Sequence, residues 1–222
     1  MEIKQELIIL SEFKHKNILV KYSQVIKEDI DWFSNTIKRM ISNGSIFKNN
    51  ETMQIGWNFI IFSDLDENTL TLKELDMTGV PQQFSYSIDN TLFHLRLQKD
   101  TLESFMDNNN LLFPSLRQSA IICTNFYQTS EFFLNRSNSK INDSGWFFGC
   151  TNKNHNHDDP TNLKSESLYT IACNKKQIIS FLAFPVDYII TFESNKFKNL
   201  FDNFGKKLKI KKGSLLDRQG DI

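Results

Sequence analysis

The sequence predicts an α+β fold, built as two small mixed subdomains with mainly antiparallel sheets and few helices. The first half contains one amphipathic helical pattern and several apolar, β-branched runs of strand length. The second half alternates strand and helix patterns irregularly, unlike a regular βαβ succession. Hydrophobic residues make up 40% of the chain, and 20 Phe stand against only 8 Gly and 4 Pro, so a buried core is expected.

The first predicted element is a helix that follows a short leading segment. Apolar residues recur at intervals of three and four from Val25 to Ile41, with charged residues between them. Acidic residues near the start and Lys38 and Arg39 near the end match the helix dipole. Asn43-Gly44 is typical of a helix stop.

A strand pair is predicted next, over residues 53–62 and 69–75, with the polar residues 64–68 between them. A third strand is predicted over residues 91–97, where polar and apolar residues alternate. A short helix over residues 100–106 is expected to follow. Trp57 lies within the first of these two runs, residues 53–62, and is expected to pack in the core.

A polar segment, residues 107–110, and the nearby Pro114 predict a domain boundary. An N-terminal α+β companion domain would therefore span residues 1–110, and a second domain would span residues 115–200. Residues 201–222 are interpreted as a basic, polar tail with five lysines at 206, 207, 209, 211 and 212. A solvated end explains these lysines, and an anion-binding site is the alternative.

The second half begins with a buried strand over residues 119–124 and continues to a compact aromatic strand over residues 145–150. Residues 151–165 are almost wholly polar and predict a loop, and a loop of that length is usually functional or mobile. Strand and helix patterns then alternate over residues 168–173, 177–182 and 188–193.

Composition excludes several classes of partner. Lys+Arg and Asp+Glu are equal at 26 each, so no global field favours nucleic acid or an anionic membrane. No apolar stretch approaches the roughly 18 residues of a membrane span. The cysteines are odd in number without a CxxC pair, which favours free thiols, and the N-terminal apolar run is too short for a signal peptide. A cytoplasmic protein is expected.

Catalytic and metal-binding patterns are weak in the sequence. None of the GxSxG, HExxH, P-loop or GxGxxG patterns occurs, so no enzyme and no cofactor are expected. Candidate zinc ligands are Cys150, His155, His157, Asp158 and Asp159, because Cys and His are zinc-binding residue types. Their spacing matches no standard four-ligand set, and the run of Asn around the histidines suggests an exposed loop, so no stoichiometric metal is expected.

The element Asp143-Ser-Gly-Trp146 has two interpretations. Asp and Ser can accept hydrogen bonds from nearby backbone amides, Gly suits a turn, and Trp146 would anchor the next strand in the core. Alternatively Trp146, or an aromatic residue near it, is an interface anchor, because Trp is enriched in binding hot spots.

Several motifs in a fixed order carry a resemblance to a known family: Cys123-Thr124, Asp143-Ser-Gly-Trp-Phe-Phe-Gly149, Asp158-Asp-Pro-Thr-Asn162, Leu168-Tyr-Thr-Ile-Ala172 and Phe184-Pro-Val186. Residues 119–193, which contain them, resemble the bacterial immunity protein 33-like domain. Departures are the strand at residues 132–136, which lacks the family's charged character, and residues 151–157, where the usual acidic stretch is missing.

The resemblance implies a non-catalytic immunity protein that neutralises a cognate polymorphic or secreted bacterial toxin by direct stoichiometric binding. The oligomeric state is left open. Two alternatives remain at this point: a small-molecule or metal-binding regulatory module, and a structural interaction protein unrelated to toxins. The residues offered as toxin contacts are Asp143, Trp146, His155, His157, Asp158 and Asp159.

Overall fold

The computed structural model describes residues 3–79, 81–107, 111–138 and 140–219. Within them the chain forms two mixed β-sheets and four α-helices, so the expected α+β class is confirmed. The chain divides into two compact units, Met1–Leu95 and Arg96–Ile222, and the division falls inside the second helix. Asn108, Asn109 and Asn110 of the expected boundary segment lie outside the described residues, and that boundary stays a prediction.

The first unit is built on one sheet. Its elements are β1 (Ile3–Ile8), β2 (Asn17–Ser23), α1 (Lys27–Ser42), β3 (Thr52–Ile55), β4 (Asn58–Asp64), β5 (Thr69–Leu75), β6 (Phe84–Ser85) and the start of α2 (Asp89–Glu103). The strand order is β1-β2-β5-β4-β3, with β6 beside β5. Strands β2 and β5 are parallel, and the other described pairs are antiparallel.

Helix α1 agrees closely with its sequence pattern. It begins at Lys27 and ends at Ser42, and the chain leaves it through Gly44 at φ +95°. The apolar stripe, with Ile30, Phe33 and Ile37, is buried in the core of the unit with strand residues such as Ile60. Burial of this stripe stabilises the helix, because a fully buried side chain of this size contributes roughly 1.5–3 kcal/mol.

The first unit contains more strands than the sequence pattern predicts. The run predicted as one strand over residues 53–62 is the hairpin β3–β4, which turns at Gly56-Trp57 with Gly56 at φ +61°. The expected core position of Trp57 is confirmed, since its side chain is buried and its indole N–H donates to His94 Nδ1 at 3.4 Å. The leading segment contains two strands, β1 and β2, that the sequence pattern did not indicate.

Helix α2 replaces the predicted third strand over residues 91–97, so that prediction is wrong. The helix predicted over residues 100–106 is confirmed in part, because residues 100–103 form the end of α2. The backbone N–H groups of Asn90 and Thr91 donate to the carboxylate of Glu74 at 3.0 and 2.7 Å. These bonds satisfy first-turn donors that have no partner inside the helix. The decisive acceptor lies on β5, far from this window in the chain, so local alternation misled the prediction.

The second unit is built on a second sheet. Its elements after α2 are β7 (Ser119–Cys123), β8 (Phe132–Arg136), β9 (Asp143–Cys150), β10 (Leu163–Ser167), α3 (Leu168–Asn174), β11 (Ile189–Glu193), β12 (Lys196–Phe201) and α4 (Leu215–Gln219). The strand order is β10-β7-β9-β8-β11-β12. Strands β7 and β9 are parallel, and the other described pairs are antiparallel.

The predicted strands over residues 119–124 and 145–150 are present as β7 and β9. The predicted loop over 151–165 is shorter, because β10 begins at Leu163 and pairs with β7. Part of the basic tail is also tied down: the N–H of Lys211 donates to Ser104 O at 2.8 Å, and Leu216 is buried. Residues 220–222 lie outside the described part of the chain.

A candidate site at the carboxyl edge of the second sheet

Strands β7 and β9 end together at one edge of the second sheet. They run parallel, with Ile121 opposite Phe147 and Ile122 opposite Phe148. The last residue of β7 is Cys123 and the last residue of β9 is Cys150, so both thiols lie at the carboxyl edge. Both side chains are buried, and the N–H of Cys150 donates to Cys123 Sγ at 3.2 Å.

The polar loop that follows β9 is held by its own side chains. Asn152 Oδ1 accepts from the N–H of Asn154, and Asn156 Oδ1 accepts from the N–H of Asp158, each at 3.0 Å. Such Asx turns replace secondary structure where Asn is frequent. Asn162 closes the loop, because its amide donates to Asn156 O at 2.9 Å and its carbonyl accepts from Thr124 N at 2.8 Å.

This folding brings two imidazoles to the two thiols. One ligand atom from each of Cys123, Cys150, His155 and His157 lies within 4.8 Å of every other. His157 Nε2 is 3.7 Å from Cys150 Sγ, and the two histidine rings are 4.9 Å apart at their centroids. These four residues are called the Cys/His cluster below.

The imidazole rings of His155 and His157 have different neighbours. His157 stands edge-on to the rings of Phe133 and Phe147, with centroid distances of 5.7 and 5.6 Å. The Asn125 side-chain amide lies 3.0 Å from His155 Nδ1. His155 Nε2 is buried and has no hydrogen-bond partner among the described residues. A buried ring nitrogen without a partner is unusual, because leaving a polar group unsatisfied costs about 1–3 kcal/mol.

Burial shifts the pKa of two residues of the cluster, Cys123 and His157. Burial raises the pKa of the Cys123 thiol, although the backbone N–H groups of Cys150 and Asn125 oppose that shift. Burial also lowers the pKa of His157, the neighbouring His155 lowers it further, and Asp158 opposes the shift. Burial therefore favours the neutral thiol of Cys123 and the neutral imidazole of His157 in the protein alone.

The cluster adds a residue to the candidate zinc ligands that the sequence offered, which were Cys150 and residues after it. Cys123, which is 27 positions earlier, joins the set through the parallel pairing of β7 and β9. Asp158 and Asp159 are not part of it. The available signal was that β7 and β9 both end in cysteine.

The two acidic residues of the loop that are candidate toxin contacts, Asp158 and Asp159, differ in how their side chains are bonded. The Asp158 side chain is exposed, whereas Asp159 is half-buried. Asp159 Oδ1 accepts from the hydroxyl and the N–H of Thr161 at 2.7 and 2.9 Å, and these bonds lower the pKa of its carboxyl. Asp159 therefore starts the short 3-10 helix Pro160–Asn162, while Asp158 is free to face a partner.

The Asp143–Trp146 element occupies the other end of β9. Asp143, half-buried, accepts from the N–H of Gly145 at 2.9 Å, and Gly145 has φ +77° with a Ser137 carbonyl where a Cβ would lie. Trp146 is only 1% exposed, and its indole N–H donates to Leu182 O at 3.2 Å. The structural interpretation of Trp146 fits this position, since the side chain presents no surface to a partner.

Arg136 supports Trp146 and was not singled out from the sequence. Its guanidinium lies 5.4 Å from the Trp146 ring and donates to backbone carbonyls. The acceptors are those of Ser144 at 3.2 Å, Phe184 at 2.8 Å, Leu182 at 3.4 Å and Leu112. Burial lowers the pKa of Arg136 to about 10. This buried cation joins β8 and β9 to the segments around residues 112 and 182–184.

The second unit is thus an α+β domain that carries a Cys/His cluster and a hydrogen-bonded polar loop. Residues 97–203 match the family model of the Imm33-like domain, which confirms the resemblance seen over residues 119–193. No curated protein and no solved structure matches the chain. In the described ranges 3–79, 81–107, 111–138 and 140–219, no helix is long and apolar enough to cross a membrane.

Proposed function

We propose that this chain is a bacterial immunity protein that neutralises a cognate polymorphic or secreted toxin by direct, stoichiometric binding. The observation that carries the proposal is the Imm33-like match over residues 97–203. An immunity protein acts by occupancy, so it needs a rigid surface rather than a reactive group. We accordingly propose that the chain is not an enzyme, acts in the cytoplasm, and binds neither nucleic acid nor membrane.

The polar loop over residues 151–162 is the surface that best supports this role. Its side chains are exposed or half-buried, and the Asx turns at Asn152 and Asn156 hold its backbone in one conformation. A loop that is ordered before binding loses less conformational entropy in the complex. A stable interface needs at least about 1,000 Å², so the loop would be one part of a larger contact.

The contact candidates take different roles in this proposal. Asp158 is the exposed charge at the rim, where charges mainly accelerate encounter. Trp146 is buried and contributes indirectly, because it anchors β9, the strand that leads into the loop. His155 and His157 are turned toward the thiols and fix the shape of the loop. Because the chain has no net charge, electrostatic complementarity with the toxin must be local.

A titration tests the occupancy mechanism. A candidate toxin, sought among the products of the neighbouring genes, is mixed with increasing amounts of the purified chain, and the residual toxin activity is measured. We expect activity to vanish near one chain per toxin, with a stable complex in gel filtration. Protection at strongly substoichiometric amounts, or absence of a complex, would contradict binding by occupancy.

Charge reversal tests the position of the interface. We expect Asp158→Lys to slow association by about 10-fold and to change dissociation much less. The matched control is Glu67→Lys, which makes the same charge change at an exposed residue of the β4–β5 turn in the first unit. Stopped-flow binding gives both rate constants. Equal effects of the two variants would place the interface elsewhere.

A further inference from the structure

We propose that Cys123, Cys150, His155 and His157 bind one zinc ion, which fastens the 151–162 loop to the carboxyl edge of the second sheet. The inference does not rest on toxin binding, because it concerns only residues of this chain and their chemistry. It assigns a metal to a protein whose sequence spacing predicts none.

The donor set matches zinc. Two sulfur and two imidazole ligands form a common structural zinc site, at about 2.3 Å for sulfur and about 2.0–2.1 Å for nitrogen. A tetrahedron with these bonds places its ligand atoms roughly 3.3–3.8 Å apart. The distance from Cys150 Sγ to His157 Nε2 is 3.7 Å, and the widest separation in the cluster is 4.8 Å. Small side-chain rotations are enough to close the set around an ion.

The outer contacts also fit a metal site. The N–H groups of Cys150 and Asn125 face the sulfur of Cys123, as N–H groups do around a zinc-bound thiolate. The Asn125 side-chain amide meets His155 Nδ1, and with its oxygen turned to the ring it accepts the Nδ1 proton. His155 Nε2, which is buried and unpartnered, is then free to bind the ion.

The position of the ion explains how a polar segment stays folded. None of the residues 151–159 is buried, so this segment has no apolar core of its own. One zinc would join it to two strand ends that are buried. Four protein ligands leave no open coordination position, so the site would be structural rather than catalytic.

A disulfide between Cys123 and Cys150 is the competing use of these thiols. Both cysteines are free in the structure. A disulfide would remove two ligands and leave the orientation of both histidines unexplained. Thiol counting and the mass of the non-reduced chain distinguish the two states, and a disulfide in protein kept under reducing conditions would overturn the proposal.

The experiment uses the full chain, purified under reducing conditions, stripped with a chelator and reconstituted with Zn²⁺ alone. Elemental analysis should find one zinc per chain. Competition with a chromophoric chelator should show affinity at least about 100-fold lower for Cys123→Ser and His157→Gln, and about 10- to 100-fold lower for Asn125→Ala. The controls are Cys173→Ser and His15→Gln, which change the same residue types outside the cluster and should bind as the parent chain does.

A second measurement protects the test against a variant that does not fold. Co²⁺ bound to the parent chain should give the visible bands of a tetrahedral site and the near-ultraviolet charge transfer of cobalt-bound thiolate. His155→Gln, whose side chain is half-buried, should weaken both signals while the circular dichroism stays unchanged. Failure of the parent chain to take up Zn²⁺, or undiminished binding by the ligand variants, would overturn the proposal.

Discussion

Each of the two sheets contains one parallel strand pair, and the carboxyl edges of the two pairs carry different chemistry. In the first unit, β2 and β5 end beside the start of α2. Glu74 accepts from the N–H groups of Asn90 and Thr91, and Asp89 accepts from the N–H of Ser23 at 2.8 Å. Glu74 therefore caps the first turn of α2, and Asp89 joins the start of α2 to the end of β2.

In the second unit, β7 and β9 end in two thiols and are followed by a loop without a core. The Cys123 thiol accepts backbone N–H groups, but the buried Nε2 of His155 has no partner among the described residues. At the first edge the Glu74 carboxylate is paired within the chain, whereas at the second edge two thiols and two imidazoles meet as potential ligands for an ion. The same strand arrangement can thus complete a fold or form a binding site, depending on which side chains end the strands.

The largest expected effect concerns the cores that support these two edges. Trp57→Ala and Trp146→Ala should each lower the free energy of unfolding by about 3–5 kcal/mol, because both indoles are fully packed. Trp32, 48% exposed on α1, provides the control, and Trp32→Ala should change stability by less than about 0.5 kcal/mol. Denaturant unfolding measures all three. A Trp146→Ala variant of unchanged stability that no longer binds the toxin would make Trp146 an interface residue.

The second largest expected effect is that of metal removal, which should destabilise the carboxyl edge of the second sheet and leave that of the first sheet unchanged. At free zinc about 100-fold above its dissociation constant, bound zinc contributes about 2.7 kcal/mol of stability, which a chelator abolishes. Amide hydrogen exchange should accelerate over residues 151–162, while Asn90 and Thr91, capped by Glu74, should exchange as before. Equal acceleration at both edges would show that the chelator acts on the whole fold rather than on the Cys/His cluster.

The smallest expected effect is the pH dependence of the first edge. Burial raises the pKa of Glu74 from its ordinary value of 4.5, against the lowering effect of the N–H groups of Thr91 and Asn90. A raised pKa means that the folded protein favours the protonated form. The stability that this group contributes is therefore present below about pH 4.5 and is lost as pH rises through the raised pKa.

The Glu74→Gln variant lacks this titration. The other carboxyls titrate alike in the parent chain and the variant, so the difference in stability between the two proteins reports on Glu74 alone. The free energy of unfolding of the parent chain, relative to that of the variant, should fall as pH rises above about 4.5. Thermal unfolding at a series of pH values measures the difference. Parallel curves would show that hydrogen bonding balances burial, and a relative gain by the parent chain with rising pH would show that hydrogen bonding outweighs it.

The elements that sequence predicted best are those whose signal is local. The apolar stripe of α1 and the apolar run of β7 each contain the information for their own conformation. The first part of helix α2 was predicted as a strand, because the group that caps its first turn, Glu74, lies on β5. Strands β1 and β2 were missed for a related reason, since their pairing with each other decides their conformation.

The residues of the candidate site also fall into those with a local sequence signal and those without one. The core position of Trp146 was one of two interpretations of its motif, and His155 and His157 were recognised as metal-binding residue types. What sequence spacing could not supply was the partner of Cys150. Cys123 reaches it through a parallel pairing that is set by the whole sheet. Arg136 was missed because its acceptors are backbone carbonyls, which have no sequence signature.

The most direct test of the central claim is X-ray absorption at the zinc edge of the purified, reconstituted chain. The Cys/His cluster predicts two sulfur neighbours at about 2.3 Å and two nitrogen neighbours at about 2.0–2.1 Å. The Cys123→Ser variant should lose one sulfur neighbour or lose the zinc. A first shell of nitrogen and oxygen alone in the parent chain would contradict the claim that the ends of β7 and β9 form a metal site.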